Sequence, residues 1–325
     1  MGKSLGIGEK YLDLCLYWIA ISLIKFCCLF PFYFACRGGE LLGMAWFYLY
    51  RRHRVITLEN LEKAFGQKFS RTQRVSLAKK TYQNFGRIFM ECIFLPRFTA
   101  ENIREFVSIT GIENLHEADK QGKGLFFITA HFGNWELLAV ALAYYGFFVS
   151  EVARPLPFPS LDKLLEGHRT QCGNRVIARK GAVKGILKSL HKRRRVGVLL
   201  DQNAYGRGAV FVDFFGLPAA TLPIVAALSQ KTGAPVVPVF IVPRKKSKGY
   251  IIEVGKMIDL IKSGDKEKDI IFNTARYTHV IEEYIRKYPQ YWFWMLRRWK
   301  TRPDTQLQRW GKIRQMRKPS SLNIS

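Results

Sequence analysis

After Pro96 the chain alternates short β-type runs with helix-length segments, and few folds accept that pattern. The runs lie at residues 106–110, 125–129, 147–152, 176–178, 196–200, 236–242 and 250–254, and the helix-patterned segments include 161–170, 183–193, 222–232 and 269–287. Alternation of this kind predicts an α/β fold with a central, largely parallel mixed sheet flanked by helices. Ligands of open α/β sheets gather at the carboxyl ends of the strands, so the residues just past each run are the first candidates for function.

Ahead of Pro96 the texture is helical. Residues 14–36 carry one charge, Lys25, and are flanked by Lys3 and Lys10 on one side and Arg37, Arg51, Arg52 and Arg54 on the other. Such a stretch is long enough to cross a bilayer or to lie in its interface. Lys25 and Pro31 count against crossing, while Tyr17, Trp18, Phe30, Phe32, Tyr33 and Phe34 suit an interface. No small-x-small site closes the run, so an uncleaved anchor is expected, with a buried core helix as the alternative. Residues 57–65 and 70–95 show helical spacing, and Ser70 with Gln73 is a capping-box candidate. The expected organisation is an N-terminal membrane anchor or interfacial helix at 1–37, one α/β domain at 38–303 (helical layer 38–98, catalytic core 99–303) and a basic flexible tail at 304–325.

Lys plus Arg outnumber Asp plus Glu by 52 to 25, a formal charge of +27, so the natural partners are polyanions: nucleic acid, anionic membrane or acidic protein. The positive charge is spread over helices without a recognised nucleic-acid module, which disfavours nucleic acid. The six cysteines show no C-x-x-C or paired Cys/His spacing, so neither a zinc site nor a disulfide framework is implied. No complete Walker A, H-E-x-x-H or G-x-G-x-x-G is present, and no cofactor or metal is expected. Residues 2–6 formally satisfy G-x-S-x-G, but no strand precedes them, as a nucleophile elbow requires.

The run at 125–129 ends in Ala130-His131, Gly133 follows, and a helical pattern starts at Trp135. His131 and Glu136 are five apart, about 140° around one regular helix, so they cannot pair as helical neighbours. With His131 in a strand-to-helix turn and Glu136 on the first helical turn, the carboxylate can fold back onto the imidazole, fix its tautomer and stabilise the imidazolium. The structural alternative is a satisfied histidine at a strand end beside a first-turn acid favoured by the helix dipole.

His-x4-Glu in the context HFGNWE resembles the His-x4-Asp/Glu motif of the lysophospholipid and glycerol-phosphate acyltransferase superfamily, and its Phe-Gly-Asn-Trp filling resembles the lipid A biosynthesis (lauroyl/myristoyl-type) acyltransferase family. The likeness runs from about Leu58 to Pro303. It takes in Arg154-Pro155, Arg169, Arg179-Lys180 with the basic residues 184–192, Asp201, an aromatic stretch at 210–216, an Ala219-Ala220-Thr221 helix start, Pro238 and the aromatic-basic segment 289–303. Asn203 stands where the family often has a second aspartate, and Leu296 replaces a histidine before the double arginine, so no role is carried onto either position.

The resemblance implies a glycerol-phosphate acyltransferase-like fold, His131 and Glu136 as catalytic base and orienter, and Asn134, Arg154, Arg169, Arg179 and Asp201 as substrate-binding candidates. It implies an acyl carrier protein thioester as donor, a hydroxyl of an anionic lipid A precursor as acceptor, and an inner-membrane location with the catalytic domain on the cytoplasmic face. A phosphatidylinositol mannoside or a lysophospholipid is the nearer alternative acceptor. From another class, a non-enzymatic basic membrane protein binding anionic lipid or nucleic acid is the competing reading.

Overall fold

A computed structural model describes residues 6–205, 208–244 and 248–303. Four helices come first: α1 (Ile7–Cys27), α2 (Phe32–Leu49), α3 (Arg51–Phe65) and α4 (Arg71–Phe94). The capping box read at Ser70 is formed, with the Ser70 amide donating to Gln73 Oε1 at 2.8 Å and the Gln73 amide to Ser70 Oγ at 3.3 Å. Helices α2 and α4 cross closely because their contact is made of glycines. A Cβ placed on Gly86 would stand 2.0 Å from the Gly39 carbonyl oxygen.

The remainder alternates strand and helix: α5 (Ile103–Phe106), β1 (Val107–Thr110), α6 (Ile112–Lys120), β2 (Leu125–Thr129), α7 (Trp135–Tyr144), β3 (Val149–Ala153), α8 (Pro159–Thr170), β4 (Arg175–Ala178), α9 (Ala182–His191) and β5 (Arg195–Leu199). A hairpin of β6 (Val210–Phe214) and β7 (Leu217–Thr221) follows, then α10 (Ile224–Thr232), β8 (Val236–Pro243), β9 (Tyr250–Val254) and α11 (Lys266–Lys287). Seven strands form one sheet in the order β1-β9-β8-β2-β5-β3-β4, parallel throughout except between β8 and β9. The α/β class and its largely parallel mixed sheet are therefore as the sequence predicts.

Every residue of β2 is buried, which explains why LFFIT reads as a continuous apolar run. Phe126 and Ile128 face a core shared with α9, α10 and α11, while Leu125 and Phe127 face α6 and α7. The strand is the central one of the seven and delivers His131 at its carboxyl end.

Three expectations need correction. Ala219-Ala220-Thr221 is strand β7 and not a helix start: it pairs antiparallel with Val210, Phe211 and Val212, and α10 begins only after Pro223. The boundary at 37/38 falls inside α2, whose Cys36, Gly39, Gly43 and Phe47 are buried. The apolar N-terminal stretch is broken between Cys27 and Phe32, at Pro31, and no helix of the described residues is long and apolar enough to cross a membrane. Helix α1 is also tied to the core. Asp13, 6% exposed, accepts hydrogen bonds from Ser160 Oγ at 2.6 Å and the Ser160 amide at 3.1 Å, on the first turn of α8. The expected tail at 304–325 lies outside the described residues.

Candidate active site

Strands β2 and β5 are parallel neighbours with Thr129 opposite Leu199. Two residues beyond that pair, His131 and Asp201 emerge side by side. Asp201, 1% exposed, holds the histidine at two points: Oδ1 lies 2.8 Å from His131 Nδ1, and Oδ2 accepts from the His131 backbone amide at 2.9 Å. Oδ2 also accepts from Trp292 Nε1 at 2.7 Å. Burial pushes the Asp201 carboxyl up, but the His131 imidazole and the hydrogen bonds from His131 and Trp292 outweigh it and hold the group below the usual carboxylate range. An ionised carboxylate only accepts, so Nδ1 carries the proton toward Asp201 and Nε2 is left as an acceptor. At 3.1 Å from Nε2 stands the Gln202 side-chain amide, on the solvent side.

The bond expected between Glu136 and His131 is absent. Glu136 sits on the first turn of α7 as anticipated, but its carboxylate is gripped by Arg169 of α8, with Nε donating to Oε2 at 2.8 Å and Nη2 to Oε1 at 2.5 Å. A planar guanidinium makes two charge-assisted bonds where the imidazole would make one, and strand register has already supplied His131 with a carboxylate. Glu151 of β3 lies 3.8 Å from Arg169 Nε. Burial and the nearby Glu136 charge, opposed by Arg169, raise the Glu151 carboxyl to about 8.

The other candidates divide into rim and interior. Ala153 and Ala178 are paired in register, so Arg154 and Arg179 leave β3 and β4 as neighbours, both exposed. Asn134 is fully buried, and its side chain accepts from the Leu137 amide at 3.0 Å and donates to Glu91 Oε2 at 2.9 Å. It caps α7 and has no face toward a substrate. Gly133 has φ +55°, and a Cβ there would meet the Ile241 carbonyl oxygen at 2.2 Å, so only glycine fits this turn. Its amide donates to the Tyr291 carbonyl at 2.9 Å. The first bond within α7 runs from the Leu138 amide to the Asn134 carbonyl, leaving the Trp135 and Glu136 amides without a partner inside the helix.

Three contributors were not singled out by residue. Trp292 forms an isolated bridge with Phe132, and the Phe293 amide donates to the His131 carbonyl at 2.9 Å, so the aromatic segment clamps the histidine turn. Arg298, fully buried, donates to the Ala220 carbonyl at 2.7 Å and to Thr221 Oγ1 at 2.6 Å, and burial lowers its pKa to about 10 against the pull of Asp201. Glu91, buried in α4, gathers Arg87 Nε, Asn134 Nδ2 and the Tyr250 hydroxyl at 2.9, 2.9 and 2.6 Å. The segment 289–303 was read as a signature without roles, and nothing local marks Glu91 as a hub. Beside Trp135 a narrow, largely apolar slot of about 40 Å³ lies between α7 and the sheet, lined by Leu138, Leu142, Val149, Gly197 and Leu199 and also by Glu151.

An imidazole anchored by a buried carboxylate, with its other nitrogen turned to the solvent side at the carboxyl end of β2, has the geometry that a general base requires, and Arg154 and Arg179 stand exposed at the ends of β3 and β4 in the same sheet. The chain belongs to the bacterial lipid A biosynthesis acyltransferase family, whose profile matches residues 8–301, and it is an acyltransferase by that membership. It is 28% identical to the lipid A biosynthesis lauroyltransferase of Escherichia coli (strain K12) over 88% of this chain and 92% of that protein. It is 23% identical to the palmitoleoyltransferase of the same organism over 88% and 91%, and 26% identical to the myristoyltransferase over 64% and 63%. Among solved structures, the 1-acyl-sn-glycerophosphate acyltransferase PlsC of Thermotoga maritima shows 13% identity and a TM-score of 0.36, over 78% of this chain and 97% of that one.

Proposed function

We propose that the protein transfers a fatty acyl chain from an acyl carrier protein thioester to a hydroxyl of an anionic lipid A precursor, with His131 as general base and Asp201 as the carboxylate that orients it. The observation that carries this reading is the two-point bond from Asp201 to His131 Nδ1 and amide, which commits Nε2 to accepting a proton. The acceptor hydroxyl displaces Gln202 from Nε2 and gives up its proton as its oxygen attacks the thioester carbonyl. The tetrahedral oxyanion is held by the Trp135 and Glu136 amides at the start of α7. Collapse breaks the carbon–sulfur bond, the thiolate recovers the proton from the imidazolium, and an ester and a free thiol result. No acyl-enzyme is needed, because a thiolate leaves readily.

Glu136 takes a different part in this scheme from the one first expected. It fixes Arg169 at the rim, where Arg154 and Arg179 supply further charge for a phosphorylated acceptor. Exposed apolar side chains on α1 and α2, including Leu12, Trp18, Phe34, Leu41 and Leu49 at 51%, 58%, 65%, 71% and 84%, support seating in a membrane interface. The acidic donor, phosphorylated acceptor and anionic membrane all complement a charge of +27.

The test compares lipid A from cells with and without the protein by mass spectrometry. An added mass of one acyl chain that depends on the protein is expected. Unchanged lipid A, with transfer to lysophospholipid in vitro, would sink the acceptor assignment.

A further inference from the structure

A second cavity, of about 690 Å³, lies between α3 and the closing segment, and the acyl-transfer scheme makes no use of it. Arg51, Arg52 and Lys63 of α3 line it together with Arg297 and Lys300, and Glu59 is the one carboxylate among its described lining residues. The lining residues of α3 repeat at helical intervals, so a single face of that helix turns toward the cavity. The opposite wall is held in place. Asn60, 3% exposed, donates through Nδ2 to the carbonyls of Trp294 and Leu296 at 2.8 and 2.7 Å. Trp299, 6% exposed, also lines the cavity, and its indole Nε1 has no hydrogen-bond partner among the described residues.

Burial, then the charges of Arg52 and Arg297, push the neighbouring His53 imidazole below its usual range. Immediately ahead of Arg51, Tyr48, Leu49 and Tyr50 are 55%, 84% and 46% exposed, and Val55 on the cavity wall is 41% exposed. A basic cavity that opens beside exposed aliphatic and aromatic side chains meets both halves of one ligand class, a phosphate on an apolar tail. Its volume falls in the range of small-ligand sites.

We infer that this cavity binds the phosphorylated headgroup of an anionic membrane lipid, at a site separate from His131, with the lipid's tails lying along Tyr48, Leu49 and Tyr50. The free phosphate group alone shares the chemistry, and the apolar flank favours the lipid as its source.

The experiment measures partitioning of the full chain onto phosphatidylcholine vesicles with and without phosphatidylglycerol, and needs no acyl donor, so its result is independent of the proposed reaction. The triple variant Arg51→Gln, Arg52→Gln, Lys300→Gln should partition at least about tenfold more weakly onto the anionic vesicles and unchanged onto neutral ones. A control of equal charge, Lys188→Gln, Lys192→Gln, Arg194→Gln, removes cations that line a separate cavity along α9 and β4 and should retain most of the anionic binding. Equal weakening by both variants would make the attraction diffuse and overturn the site, as would no weakening by the first. Glycerol phosphate at millimolar concentration should leave vesicle binding in place. Complete displacement would identify a free phosphate ligand and overturn the lipid assignment.

Discussion

At Asp201 three donors meet one buried carboxylate, and the arrangement predicts how substitutions should rank. Asp201→Asn keeps the shape but offers an amide where Nδ1–H needs an acceptor, so kcat should fall by roughly 10²–10⁴. Glu136→Gln weakens the grip on Arg169 and should act mainly on KM for the acceptor. A loss in kcat equal to that of His131→Ala would return Glu136 to the histidine. Glu151 gives a prediction in pH. Its folded-state pKa, about 8, lies above the ordinary carboxylate value, so the folded chain holds that proton more tightly than the unfolded one. Stability from this group is complete at acid pH and is lost as pH rises toward and through 8. Melting temperature should therefore decline as pH rises from the ordinary carboxylate value of 4.5 to about 8, and Glu151→Gln should flatten the decline. Identical slopes would remove Glu151 from the account. At this scale His131 was legible from its strand-turn-helix setting, but its partner was not. Asp201 is distant in sequence and becomes adjacent only through parallel register, whereas Glu136 is near in sequence and is claimed by an arginine from another helix.

Helices and strands depend on single contacts that can be tested. Asp13 ties α1 to the first turn of α8, the helix that carries Arg169. Asp13→Ala removes a buried acceptor and should cost roughly 1–3 kcal/mol, read in denaturant unfolding, and should raise acceptor KM through Arg169. A change in neither would show that α1 docks without it. The crossing of α2 and α4 leaves no room for a methyl at Gly86, so Gly86→Ala should destabilise by roughly 1–3 kcal/mol or more, since its Cβ would meet the α2 backbone at Gly39 and Gly43. The main strands were readable because β2 and β8 are buried almost throughout and show as unbroken apolar runs. Hairpin β6–β7 was not, since Ala219 and Ala220 carry a helix-favouring composition and only pairing with Val212 and Phe211 makes them strand. The break between α1 and α2 was foreshadowed by Pro31, which weakened the spanning reading from the start.

For the molecule as a whole, one sheet edge collects the chemistry. Each of β2, β3, β4 and β5 contributes a residue just past its carboxyl end: His131, Arg154, Arg179 and Asp201. Residues 291–293 close over the histidine turn from the closing segment of the domain, so the site is complete only when that segment docks against the end of β2. The sheet class and the strand-end location of the site follow from alternation alone, while the clamp, the Glu91 hub and the basic cavity depend on contacts between distant segments. The most direct measurement is acyl transfer from acyl carrier protein thioester to lipid A precursor in membranes carrying wild type, His131→Ala, Asp201→Asn or Glu136→Gln. Transfer nearly abolished by the first two, and retained by the third with a changed KM for the acceptor, is the expected result. Transfer undiminished in His131→Ala, or in Asp201→Asn, would contradict the account.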